Sequence, residues 1–408
     1  MGPAAIRGAL MSAGRRVWAG RRRRRALRVT AAACAVTAAV WVMFGSWFDR
    51  QLRVIDVVAV ALNKPGWLVW AVDETTSTPH SSQRVIASVP STVVRPAGSG
   101  PWPAVVFVNG ATAQGRHEPH VVRLGDGLAR AGYLVVVPDL PGLRRGQITL
   151  GTEAALVAVA RRVAGERAAR GGRVGFLGVS VGASLALLAA ERTSLSGHIA
   201  AVAGLAPYTD LEQMVRLATT GTYLCDGRPV RYRTGSFLGL ALARSLVASM
   251  PASGEQRTLL SRLRAIPDNA ADPLAGLRRS PADRTGPVGA VVALLANRDP
   301  RRFDPLWAAL PRRLRRAARQ LSPLSAAARL RVPVYLASSA HDEYFPPSQS
   351  EALAARAPDA SVMITGTLSH VLPEPSLGHL GAFLNFDDFA VNSLNALNAC
   401  ATSAGCPR

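Results

Sequence analysis

Five residues near the middle of the chain, Gly178-Val179-Ser180-Val181-Gly182, set a hydroxyl between two glycines. They lie where an apolar, β-prone run, RVGFL, gives way to a small-residue helix former, ASLALLAA. A serine at the apex of such a turn stands at the C-terminal edge of a sheet, with a helix N-terminus beneath it. The chemistry open to it is nucleophilic attack on a carbonyl carbon, with the Val181 amide aimed at the oxyanion that forms. The alternative is an ordinary glycine-rich strand–helix turn in which Ser180 has no chemical role. A nucleophilic serine needs a base, and the base needs a group to orient it. Two other turns carry such groups, Asp342 in HDEYFPP after VPVYLASS and His370 in TLSH after SVMITG, and a third, Asn109-Gly110-Ala111 after PAVVFV, could offer a second oxyanion donor.

All four segments follow apolar runs, and those runs recur with a rhythm. From about residue 82, RVIASVPSTVV is strand-like, PAVVFVNG is a second strand, and VVRLGDGLARAG has helical spacing and stops at glycine. YLVVVPDLPG, RVGFLGVS and IAAVAGLAP continue the strands, with LGTEAALVAVARRVAGERAA and VGASLALLAAE as helices between them. Continuous apolar strands alternating with helices predict an α/β fold, a mostly parallel sheet covered on both faces with right-handed crossovers. The rhythm stops near Tyr208 and returns with LRVPVYLASS (330–339) and ASVMITG (360–366). Residues 82–207 and 329–399 therefore read as one core, interrupted by a helical lid insertion, 208–328, without a strong strand. Within the insertion, PLWAALPRRLRRAARQL alternates apolar and Arg residues with helical spacing. It reads as a solvated face, or as a contact with anionic lipid heads or an acidic substrate.

In this order, VVFVNGA, GYLVVVPDLPG, GFLGVSVGAS, ASSAHDEYFPP and TLSH resemble the α/β-hydrolase superfamily over roughly residues 82–395. The resemblance is best to its dienelactone-hydrolase-like and acyl-esterase branches. It implies a serine hydrolase whose triad follows in the order serine, acid, histidine. Only His370 and His379 lie late enough to be the base. His370 follows the last strand, whereas His379, in SLGHLGAFLNF, reads as part of a closing helix. Asp342 is the implied acid; Glu343 and the more distant Asp210 are alternatives, and Asp139 in VVVPDLPG reads as a structural turn acid. The second oxyanion donor implied is the Ala111 amide, freed to turn inward by Gly110. The chain departs from the pattern in having Ser180 where dienelactone hydrolases use cysteine, Asn109 where an HG pair is usual, and a large insertion. The implied reaction is cleavage of a small-molecule or lipid-like carboxylic ester through an acyl-enzyme, with no metal or organic cofactor. An acyltransferase or a peptidase would use the same triad. The intact Ser, Asp and His set argues against a non-catalytic binding domain.

The remaining features concern location and partners. The 408 residues carry a formal charge of +22, yet Lys64 is the one lysine, and no nucleic-acid recognition module accompanies the charge. Nucleic acid is therefore not expected as a partner. Residues 1–28 form a basic tail with nine arginines and no acid, and residues 29–48 carry no charge. About 20 such residues span roughly 30 Å of hydrocarbon. This predicts a transmembrane anchor with its N-terminus in the cytoplasm and the catalytic domain outside. A cleaved signal peptide is the alternative and leads to the same side. Residues 49–81 read as a juxtamembrane segment, and 400–408 as a C-terminal tail. Cys34, Cys225, Cys400 and Cys406 lack metal-ligand spacing; Cys400 and Cys406 are either a small disulfide or two free thiols.

Overall fold

The computed structural model describes residues 54, 57, 70, 72, 74–279, 286–366, 368–369, 372–373 and 380–398, with backbone alone for 368–387 apart from those omitted. The basic tail, the apolar run 29–48, Cys34, His370, His379, Cys400 and Cys406 lie outside the described residues.

In chain order the core begins with strands β1 (His80–Ile86), β2 (Val89–Arg95) and β3 (Trp102–Val108), then helix α1 (Pro119–Arg130), β4 (Leu134–Pro138) and α2 (Leu150–Ala164). It continues through β5 (Ala169–Val179), α3 (Val181–Ala190) and β6 (Ile199–Leu205). The insertion contains α4 (Leu211–Thr220), β7 (Thr222–Cys225), β8 (Arg228–Arg231), α5 (Ser236–Ala248), α6 (Gly254–Ala265), α7 (Ala275–Arg279), α8 (Gly286–Ala296), α9 (Phe303–Ala308) and α10 (Arg312–Gln320). The core resumes with β9 (Val334–Ser339), α11 (Ser348–Ala354), β10 (Ala360–Thr365), β11 (Leu368–Ser369), β12 (Leu372–Pro373) and α12 (Leu380–Asn398).

Eight of these strands form one sheet in the order β1-β2-β4-β3-β5-β6-β9-β10. The strands from β4 to β10 in that order pair in parallel, while β1–β2 and β2–β4 are antiparallel. Alternation along the buried strands explains the two-sided covering. Val106 and Val108 of β3 join a core with Leu156 and Val159 of α2 and Leu185 of α3. Val105 and Phe107 face the other way, into a core with Val121 and Leu128 of α1 and Leu394 and Leu397 of α12. The Tyr133 hydroxyl donates to the Leu394 carbonyl at 2.7 Å and ties α12 to the sheet. The chain goes from β3 to β4 on one side and returns to β5 on the other. In an open α/β sheet, that reversal puts a crevice at the C-terminal ends of β3 and β5.

Two local readings differ from the structure. RVIASVPSTVV is a hairpin rather than one strand, because Ala87 and Ser88 adopt positive φ (47° and 66°) and turn the chain back. The insertion holds the antiparallel pair β7–β8, joined through Asp226 (φ 49°) and Gly227 (φ 75°). Asp-Gly is a hairpin turn signal because both central residues need φ above zero. Arg244 of α5, 2% exposed, binds the insertion to the core. Its guanidinium donates to the carbonyls of Arg145, Leu263 and Ile266 and to Asp268 at 2.7–3.1 Å.

Candidate active site

β5 ends and α3 begins at Ser180, whose backbone is held at φ 55°, ψ −129°. This conformation is costly for a residue with a side chain, and such strain recurs where structure holds a functional group in place. Both flanking glycines are required by close approach. A Cβ on Gly178 would sit 2.3 Å from Ala183 Cα, and one on Gly182 would sit 2.1 Å from the Val108 carbonyl oxygen. The Ser180 amide donates to the Leu205 carbonyl (2.7 Å), and the Ala183 amide to the Ser180 carbonyl (2.9 Å). The turn is thus tied to β6 on one side and to the helix on the other. Val181 is the first residue of α3, where a helix leaves its amides without intrahelical acceptors.

The loop after β3 lies against this turn. A Cβ on Gly110 would fall 3.4 Å from the Ser180 Cβ. Asn109 is 2% exposed, and its Nδ2 donates to the Gly110 carbonyl at 2.8 Å, which holds the loop that carries Ala111. Ser180, Val181, Gly110 and Ala111 all line one cavity of about 500 Å³. Its lining is mostly apolar and includes Val54, Val57, Leu124, Phe237, Leu238 and Leu394.

The candidate acids separate clearly. Asp342 is 3% exposed in the turn after β9, and its Oδ1 accepts from the amides of Tyr344 (2.7 Å) and Phe345 (2.8 Å). Tyr344 and Phe345 line the same cavity as Ser180, so the turn that holds Asp342 forms part of its wall. The neighbouring Glu343 is exposed. Asp210 caps α4 by accepting from the amides of Glu212 and Gln213, and Asp139 pairs with Arg144 and Arg116. His370 lies outside the described residues; β11 and β12, on either side of it in sequence, pair with each other, and β11 runs beside β9.

Two site residues were missed in the sequence. The Tyr232 hydroxyl, just past β8, donates to the Asp342 carbonyl at 2.5 Å. Burial, with Asp342 close by, pushes this phenol well above its usual range, so it remains a donor. No spacing signal links residues 110 positions apart. His120 of α1 also lines the cavity, but Arg123 contacts its Nδ1 at 2.9 Å. A guanidinium only donates, so Nδ1 is the acceptor in that contact and its lone pair is occupied by Arg123. Among the described residues, no group of three or more His, Cys, Asp or Glu side chains is placed to hold a metal ion.

A mostly parallel sheet with helices on both faces and a serine elbow at its switch point defines a serine hydrolase of the α/β-hydrolase superfamily. Residues 87–371 match the family described as X-Pro dipeptidyl-peptidase (S15 family), and the chain belongs to that family. No curated protein matches its sequence. Solved structures are similar to the chain at low identity. DphMB1 is 17% identical, with 83% of this chain and 93% of that one covered and a TM-score of 0.41. The 2,6-dihydroxy-pseudo-oxynicotine hydrolase is 16% identical, with 81% and 72% covered and a TM-score of 0.44. The Pyrococcus horikoshii acylaminoacyl peptidase is 13% identical, with 83% and 45% covered and a TM-score of 0.47.

Proposed function

We propose that the chain is a membrane-anchored hydrolase that cleaves carboxylic esters through an acyl-enzyme on Ser180. Ser180 Oγ attacks the ester carbonyl carbon while His370 takes its proton, and Asp342 orients and stabilises the imidazolium. The amides of Val181 and Ala111 hold the oxyanion. The tetrahedral intermediate then collapses; the carbon–oxygen bond to the alcohol breaks, and His370 returns the proton to the leaving oxygen. Water, giving its proton to His370, attacks the acyl-serine and releases the acid. This chemistry calls on no cofactor.

The observation that carries the ester reading is the lining of the cavity beside Ser180. A dipeptidyl-peptidase must hold the free ammonium of its substrate, which calls for buried carboxylates. The one carboxylate among the described lining residues is Glu118, and its Oε2 already accepts from the Val121 amide to cap α1. An apolar cavity of this size suits an acyl chain. The family match favours the peptidase as second reading, with the same residues in the same roles. Turnover of a panel of 4-nitrophenyl esters and X-Pro 4-nitroanilides by the full chain separates the two. Ester cleavage with the anilides inert is expected; preferential cleavage of the anilides would overturn the ester reading. Product analysis with added alcohol and amine acceptors tests transfer.

The anchor is proposed from residues 1–48; among the described residues no helix is long and apolar enough to cross a membrane. Its test is a reporter fused after residue 60, expected to be active only outside the cytosol.

A further inference from the structure

Ser180 caps the start of α3, and Glu191 caps its end with Arg192 just after, roughly 15 Å away at a rise of 1.5 Å per residue. There a second cavity, of about 390 Å³, is lined by Glu191, Arg192, Arg316, Arg319, Gln320 and Arg329 among others. The arginines come from three places: the end of α3, one face of α10 and the segment just before β9. Arg192 is engaged by the buried Glu153 through both carboxylate oxygens. Among the described residues, the side chains of Arg316 and Arg319 have no hydrogen bond or ion pair, and Arg329 acts electrostatically on Glu191. Helix α10 contains no acid. It buries Leu314, Ala317 and Ala318 and turns Arg312, Arg313, Arg316 and Arg319 outward. Arg316 and Arg319 also border an adjoining cleft of about 550 Å³ lined by arginines alone.

An ordinary solvated face would intersperse acids at i,i+3 and i,i+4. Here those positions repeat arginine, as in Arg312/Arg316 and Arg315/Arg319, and like charges at this spacing destabilise a helix. Glu191, which faces Arg192, Arg329 and Glu153, points a buried, unpartnered Oε1. Burial pushes its carboxyl up to about 8, which favours the protonated form, a hydrogen-bond donor, at neutral pH. The cavity is thus lined by groups that donate, with planar guanidinium forks matched to tetrahedral oxyanions.

We propose that this cavity binds a phosphate-type oxyanion, either free phosphate or the phosphate of a lipid headgroup. The site is separate from the one at Ser180 and needs no assumption about its substrate.

The test is titration of inorganic phosphate, at constant ionic strength and against chloride, into the full chain reconstituted in nanodiscs of phosphatidylcholine. Arg316→Ala with Arg319→Ala should weaken phosphate binding by about tenfold or more, the usual cost of losing charge-assisted hydrogen bonds. Arg257→Ala, at an exposed site on α6, removes the same kind of charge elsewhere and should leave binding unchanged. A second set of discs containing phosphatidylglycerol separates the sources. Weaker phosphate binding there, seen in the wild type and absent in the double variant, identifies the headgroup as occupant; equal binding in both discs identifies soluble phosphate. Phosphate binding no tighter than chloride, or a double variant that binds like Arg257→Ala, would overturn the site. Melting temperature shows whether each variant is folded.

Discussion

The two ends of α3 solve different problems. At the N-terminal end the chain spends backbone strain and two glycines to fix one hydroxyl beside an apolar cavity. At the C-terminal end, side chains from distant segments gather cations with few counter-ions around a mostly buried acid. The first site is set by local geometry and would persist in any salt. The second is set by long-range charge and is sensitive to pH and ions. One helix thus carries a geometrically fixed hydroxyl at one end and an electrostatically loose cluster at the other.

The contrast is sharpest under Gly182→Ala. The added Cβ meets the Val108 carbonyl, a backbone atom that cannot move cheaply. We expect a loss of roughly 2–4 kcal/mol in stability, measured by denaturant unfolding, together with loss of activity. A variant of wild-type stability would mean that the elbow is not tightly packed.

At the other end, Glu191→Gln should act on pH dependence. The folded carboxyl titrates near 8 against 4.5 in the free group, so the folded state keeps its proton more tightly. Its contribution is full below about pH 4.5 and is lost as pH rises towards 8, a slope of at most about 1.4 kcal/mol per pH unit. The glutamine variant should flatten that part of the stability profile. An unchanged profile would show that Glu191 is ionised in the fold.

Smaller effects probe the apolar cavity. Val57→Trp fills part of the wall and should lower kcat/KM for long-chain esters about tenfold relative to acetate. Equal effects on short and long chains would place the acyl group elsewhere. Tyr232→Phe removes one hydrogen bond to the Asp342 backbone and should cost about 1 kcal/mol in stability with a several-fold drop in kcat.

What could be read from the sequence follows the same division. The parallel sheet, the elbow at Ser180 and the turn carrying Asp342 were legible because apolar runs, glycines and turn residues act over a few positions. The burial of Asp342 beside an exposed Glu343 was not, since both follow the same strand and only the packed turn distinguishes them. Asp226-Gly227 did signal the hairpin that the helical reading of the insertion passed over. Tyr232 and the grouping of Arg192, Arg316 and Arg329 depend on contacts across the insertion, which no local pattern encodes. The arginine-rich helix was visible, but not the cavity it closes.

The central claim is that Ser180 is a nucleophile served by His370 and not by His120. A fluorophosphonate probe on the full chain, followed by ester turnover, tests it directly. Ser180→Ala should abolish labelling and lower turnover on the order of 10⁴–10⁶-fold; His370→Ala should do nearly as much, and His120→Ala should leave both close to wild type. Full labelling of Ser180→Ala, or a His120→Ala variant as inactive as His370→Ala is expected to be, would contradict the account.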